Sequence, residues 1–166
     1  MPRAAELVIR EARQQDLPVV GALWNTMIAE TTATFTTTLK TDADLAALLA
    51  DRADALLVAE HGGGVQGFIT WGAFRPGPGY AHTAEHTIIT TKQVKGVGRA
   101  LVQAAEARAA AQGIHTFVAA ISGENTDAVA FHSRLGFALA GQLPEAGRKQ
   151  GRWLDLILMT KTLDPH

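Results

Sequence analysis

The segment Gln93-Val94-Lys95-Gly96-Val97-Gly98-Arg99-Ala100 constrains this chain more than any other. It stands between a β-branched run ending near Thr90 and an alanine-rich stretch that reaches Gly113. That spacing predicts a strand, a tight glycine turn and then a helix. Gly96 and Gly98 carry no β-carbon, which lets a ligand approach the main chain closely. Consecutive N–H groups at a helix start, with the helix dipole behind them, favour a bound phosphate. Lys95 and Arg99 add positive charge beside them. With no Gly-Lys-Ser/Thr ending and no third glycine, the segment is neither the mononucleotide nor the dinucleotide fingerprint. Phosphate binding is the preferred reading, against a glycine turn that only packs a helix on a sheet.

The rest of the chain alternates strand and helix signals. Residues 7–10 form a short β-branched strand. Asp16 then caps a helix with Pro18 in its opening turn and apolar Val20, Leu23, Trp24, Met27 and Ile28 at helical spacing. The threonine-rich run from Thr31 to Thr38 suits an extended loop, and residues 42–51 a second helix. Strands are expected at 55–60 and 65–74, around a His61-Gly62-Gly63-Gly64 hairpin, and at 81–90 beyond the breaker cluster Arg75-Pro76-Gly77-Pro78-Gly79. After the glycine-initiated helix, which Gly113 closes, come strand 114–121, helix 126–135 and strands 137–141 and 153–160. A polar, basic connector (residues 144–151) joins the last two. The order β-α-α-β-β-β-α-β-α-β-β predicts an α/β fold with a mixed sheet, in one domain spanning 1–166.

Composition removes several function classes. Fifteen basic against sixteen acidic residues leave a charge of -1, without the basic excess of a nucleic-acid binder. No cysteine is present, so thiolate nucleophiles, thiolate metal sites and disulfides are excluded. Six histidines are scattered without ligand spacing, and no metal is expected. No apolar run is long enough to span a bilayer, and Met1 to Glu6 lack a signal-peptide core. The expectation is a cytoplasmic protein with a small-molecule partner, no nucleic acid and no membrane.

The loop resembles that of the GNAT superfamily of N-acetyltransferases, whose acetyl-CoA motif reads Gln/Arg-x-x-Gly-x-Gly/Ala; Gln93, Gly96 and Gly98 fill its fixed positions. Thr83-Ala84-Glu85-His86-Thr87, Arg134-Leu135-Gly136-Phe137 and the stretch from Gly147 to Asp155 are similar to its phosphinothricin and methionine-sulfoximine acetyltransferase branch. The resemblance runs from about Ile9 to Thr160. It implies the GNAT fold, acetyl-CoA as co-substrate and, as often in the family, a homodimer. The diphosphate falls to Gln93, Val94, Lys95, Gly96, Val97, Gly98 and Arg99, and the carbonyl and pantetheine to Ile88, Ile89 and Thr90, where a bulge usually frees N–H groups. Asn125 is a further pantetheine contact, or the cap of its helix.

By the same resemblance Glu85 is the expected general base, and His132, five residues before Phe137, is either the proton donor to the thiolate or a histidine satisfied at the helix–sheet interface. In strand geometry Thr83, Glu85 and Thr87 share one face, and His82, Ala84 and His86 the other. By resemblance the substrate side comprises Phe35, Arg75, Pro76, Gly77, Glu85, His86 and Thr87, with Arg75 gripping an acidic group. Trp71 and Tyr80 are further candidate walls. Residues 147–155 fold over the pocket, meet a second subunit, or form a plain charged hairpin.

The chain departs from the branch at Ile89 and Thr90, in place of a tyrosine and a valine, at Gln93-Val94, in place of Arg-Gly, and in a shorter link from Glu85 to the loop. The expected function is acetylation of a small amino-acid-like amine (methionine sulfoximine, methionine sulfone or phosphinothricin) by direct attack, since no cysteine or Ser-His-Asp pattern offers an acyl-enzyme. The alternatives are a peptide or protein N-acetyltransferase and a non-catalytic CoA-binding sensor.

Overall fold

The computed structural model describes residues 4–163. Met1 to Arg3 of the N-terminal reading, and His166 among the histidines, lie outside them. The elements run β1 (Val8–Glu11), α1 (Leu17–Glu30), α2 (Asp42–Asp51), β2 (Leu56–His61), β3 (Gly64–Ala73), β4 (Thr83–Thr90), α3 (Val97–Ala111), β5 (Thr116–Ser122), α4 (Thr126–Arg134), β6 (Ala138–Lys149) and β7 (Arg152–Thr162). This is the element order read from the sequence. Seven strands form one sheet in the order β1-β2-β3-β4-β5-β7-β6, and β4–β5 is its parallel pair. No helix among the described residues is long and apolar enough to cross a membrane.

Both sheet faces are covered, and alternation along β3 and β4 assigns the side chains. Ile69, Trp71, Ala84 and Phe117 pack with Leu101, Val102 and Ala105 of α3. Phe68 and Ile89 pack on the opposite face with Val20 of α1 and Leu45 of α2. Glu85 and Thr87 therefore face the α1–α2 side, and His86 the α3 side, as the strand period requires. Trp71 is core, its indole N–H donating to Gln112 Oε1 at 3.1 Å, and it borders the cavity beside Arg75 and Thr83 rather than the one beside Glu85 and His132. Tyr80 is exposed and packs on Phe74.

Three local expectations are corrected. Asp16 stands at the N-cap position of α1, but its carboxylate bonds no N–H of that helix: it accepts from Arg10 Nη1 and Nη2 at 2.8 and 2.9 Å and from the Arg13 N–H at 2.7 Å. The guanidinium offers two aligned charged donors, which outcompete a helix N–H. The connector 144–151 is mostly strand. Gly147, Arg148 and Lys149 pair with Leu154, Trp153 and Arg152, and the turn residues Gln150 and Gly151 both have positive φ, as a tight hairpin requires. Third, β4 carries no bulge: its register with β3 is unbroken from Ala84 to Thr90.

Asp16 is held below the ordinary carboxylate range, first by the Arg10 hydrogen bonds and against the opposing effect of burial. A depressed folded pKa contributes stability that is present above the unfolded pKa and lost as pH falls through the folded one. Asp16→Asn is expected to destabilise the fold by about 3 kcal/mol at pH 7. Urea titrations at pH 7 and pH 3 check this; the variant's deficit shrinks at the lower pH.

Candidate active site

The site lies where the sheet opens. β4 and β5 are paired from Thr83–Thr116 to His86–Ala119 and diverge beyond. The N–H of Thr91 donates to Gln66 and that of Phe74 to Thr83, so odd-numbered residues of β4 bond to β3. The N–H groups of Ile88 and Thr90 consequently point into the gap left by β5, whereas that of Ile89 belongs to the β3 ladder. Splaying of the strands, rather than a bulge, frees these donors. A cavity of about 350 Å³ occupies the gap, with walls that include Phe35, Glu85, His86, Thr87, Ile88, Asn125 and His132.

Glu85 is partly buried on the α1–α2 face. Burial raises its carboxyl pKa, and the positive charge of Arg52 opposes the rise. Gly72 lies directly across the ladder from Glu85, and a β-carbon there would collide with the Arg52 guanidinium. That missing side chain is what lets Arg52 lie on the sheet face beside Glu85. Arg52 Nη1 reaches Thr70 Oγ1 at 3.4 Å, and among the described residues Arg52 makes no ion pair.

On the α3 side, Gly96 caps α3 at φ 84°, and the first helical bond runs from the Ala100 N–H to the Gly96 carbonyl. Among the described residues the N–H groups of residues 94–99 meet no protein acceptor. This is the orphan set of a helix start, continued into the preceding turn. Lys95 and Arg99 are exposed beside it. These donors suit an anion, and their position at the end of β4 suits a long ligand that enters the β4–β5 gap. Gly98 has a second reason to be glycine, since a β-carbon would sit 3.0 Å from the Phe131 ring of α4.

Asn125 accepts from the Ala128 N–H at 3.2 Å and so caps α4, and it also lines the cavity; the two readings coexist. His132, expected as a proton donor or a satisfied interface histidine, has both nitrogens engaged: Nδ1 lies 2.8 Å from the Ala128 carbonyl and Nε2 lies 2.9 Å from His86 Nε2.

The threonine-rich loop after α1 forms the roof. Lys149 Nζ donates to the Thr34 carbonyl at 2.8 Å, Thr32 Oγ1 donates to Glu124 at 2.6 Å, and Glu124 pairs with Arg152 at 2.8 Å. Phe35 packs directly on Gly147, where a β-carbon would collide with the ring at its Cδ2. The β6–β7 hairpin therefore folds over the pocket, and Gly147→Val is expected to push Phe35 into the cavity. A crystal structure of the variant checks this: the Phe35 ring should stand displaced toward Glu85, and a ring left in place would contradict it.

Arg75, Pro76 and Gly77 are not brought to Glu85. They are exposed and line a separate cavity with Arg52, Tyr80 and Thr83, and the Arg75 guanidinium stacks on Phe74, 5.8 Å from its centroid. Arg52, Lys149 and the cavity wall residues Trp24, Met27 and Lys40 were not expected at the site. Only the pairing of Gly72 with Glu85 could have signalled Arg52, and that needs the β3–β4 register.

A split sheet with unbonded N–H groups at the start of α3 and a carboxylate at the edge of the gap suits a transferase whose donor is an elongated, anionic molecule. A family profile described as Acetyltransferase (GNAT) domain matches residues 9–158. The chain is 39% identical over 163 residues, 95% of each sequence, to the L-methionine sulfoximine/L-methionine sulfone acetyltransferase of Pseudomonas aeruginosa. An N-acetyltransferase from Staphylococcus aureus superposes with a TM-score of 0.89 at 33% identity, covering 96% of this chain and 99% of that one. A GNAT superfamily phosphinothricin acetyltransferase from Sinorhizobium meliloti, solved in complex with AcCoA, superposes with a TM-score of 0.88 at 29% identity, covering 95% and 88%. This chain belongs to the GNAT family of acetyltransferases, and it is an N-acetyltransferase.

Proposed function

We propose that this protein transfers the acetyl group of acetyl-CoA to the amine of a small amino-acid-like substrate of the methionine sulfoximine, methionine sulfone or phosphinothricin type, by direct attack in a ternary complex. The observation that carries this reading is the opening between β4 and β5 beyond the His86–Ala119 pair, with Glu85 at its edge. Acetyl-CoA is a substrate here, its diphosphate held by the N–H groups of residues 94–99 and its pantetheine arm by Asn125. The N–H groups of Ile88 and Thr90 orient and polarise the thioester carbonyl, where negative charge develops. Glu85 takes a proton from the substrate ammonium, and the freed nitrogen attacks the carbonyl carbon. Burial of the carboxyl assists, because a base with a raised pKa holds the proton more firmly. Activity should therefore climb with pH through an ionisation above the ordinary glutamate range.

The cavity volume of about 350 Å³ and the roof of Phe35 and Lys149 suit a free amino acid better than a polypeptide. A homodimer belongs to the reading as well: Leu139 and Trp153 on the β6–β7 hairpin are 65% and 58% exposed, apolar surface that a second copy would cover. So does a cytoplasmic setting, where acetyl-CoA is supplied. The test is thiol release from acetyl-CoA across an amine panel. Methionine sulfone and sulfoximine should turn over well ahead of peptides. Faster turnover of a peptide amine, or CoA binding with no turnover on any amine, would overturn the assignment.

A further inference from the structure

His86 and His132 stand side by side at the cavity, 6% and 4% exposed, and the proton transfer assigned to Glu85 uses neither. Their hydrogens can be placed by chemistry. The Ala128 carbonyl can only accept, so His132 Nδ1, 2.8 Å away, carries a hydrogen. A neutral imidazole has one N–H, which leaves His132 Nε2 as an acceptor. The hydrogen in the 2.9 Å Nε2–Nε2 contact then belongs to His86. His86 Nδ1 is left bare, and it is the one buried side-chain polar atom without a partner among the described residues. The chain of bonds runs one way, from His86 N–H to His132 and from His132 N–H to Ala128.

An added proton has no good place. On His132 Nε2 it would confront the His86 N–H; on His86 Nδ1 it would lie buried with no acceptor. The rings are walled by Phe117, Phe131 and Phe137, at centroid distances of 4.8 to 5.6 Å. Glu85, the neighbouring residue of β4, points to the other face, and Lys161, beyond Phe137, is paired with Glu106. Burial, with the neighbouring ring second, pushes His86 down to about 3, and burial lowers His132 as well.

We propose that His86 is a positioning residue that ties up His132 Nε2, so that the pair stays neutral and His132 supplies no proton to the departing sulfur. The last clause rests on the acetyl-transfer reading. The balance then closes without an imidazolium. The substrate nitrogen forms its bond to the carbonyl carbon and the carbon–sulfur bond breaks. Of the two protons the ammonium gives up, one goes to Glu85 and the other to the sulfur, leaving a secondary amide and the CoA thiol.

Long-range ¹H–¹⁵N spectra of the ligand-free protein between pH 5 and 8 test the pair without any turnover. His132 should appear as the Nδ1–H tautomer and His86 as Nε2–H, both untitrated; a His132 Nε2–H, or an imidazolium at pH 7, overturns the proposal. His86→Gln keeps a side-chain N–H and should preserve the His132 tautomer. His86→Leu removes the donor, and His132 should then titrate at higher pH than in the parent; an unshifted His132 overturns the positioning role. Should the leucine variant fail to fold, the parent and glutamine spectra decide. In the thiol-release assay, kcat should not fall between pH 6.5 and 8.5, and a fall there that His132→Gln abolishes overturns the mechanistic clause. A parent enzyme that acetylates no amine defeats the transfer reading alone, because the spectra still judge the pair.

Discussion

Replacing Glu85 by glutamine is expected to lower kcat by ~100- to 10,000-fold while KM for acetyl-CoA changes by less than about twofold. Glutamine keeps the size and much of the hydrogen bonding of the side chain, but it cannot accept the ammonium proton at any working pH. The separation follows from the architecture. Glu85 faces the α1–α2 side, whereas the N–H groups assigned to the diphosphate begin beyond the end of β4. The parent's kcat/KM should rise with pH through a single ionisation above the ordinary glutamate value, because burial outweighs the opposing charge of Arg52. Arg52→Met should move that limb further upward, since it removes the charge that favours the ionised carboxylate. Steady-state thiol release over a pH series measures both. A glutamine variant with parental kcat would remove Glu85 as the base.

Gly96→Val is expected to weaken CoA binding at least tenfold by calorimetry. The backbone at Gly96 has φ 84° and ψ -2°, and a β-branched residue there costs about 1–3 kcal/mol unless the turn rearranges. Either response displaces the unbonded N–H groups that follow. Turnover at saturating acetyl-CoA should change only a few-fold, because Glu85 and the β4–β5 gap lie outside the turn. Gly98→Ala should behave differently. Its β-carbon meets Phe131 at 3.0 Å, so the penalty falls on α3–α4 packing and thermal stability as well as on the ligand.

Much of this architecture is legible in the chain because its signals are local. The glycine turn, the capped helices and the alternation that sends Glu85 and His86 to opposite faces depend on a few consecutive residues. What escaped depends on pairings between distant segments. The strand character of residues 144–149 is hidden by Pro144, glycines and charges, and it emerges only because Leu154 and its neighbours supply a ladder. Arg52 reaches the site through an absence, the missing side chain of Gly72, which means nothing until β3 is laid against β4. Asp16 carries the right residue type for a cap, but Arg10 claims its carboxylate from the neighbouring strand. The same logic separates the histidines. Along the helix His132 reads equally as an acid or as a satisfied interface histidine, and only the fold brings His86 within 2.9 Å of it.

A crystal structure of the protein with CoA addresses the central claim most directly. The account predicts diphosphate oxygens within hydrogen-bond distance of N–H groups from residues 94–99, and the pantetheine arm running into the gap between β4 and β5 toward Glu85. A diphosphate seated elsewhere, or an arm that never enters that gap, would contradict it.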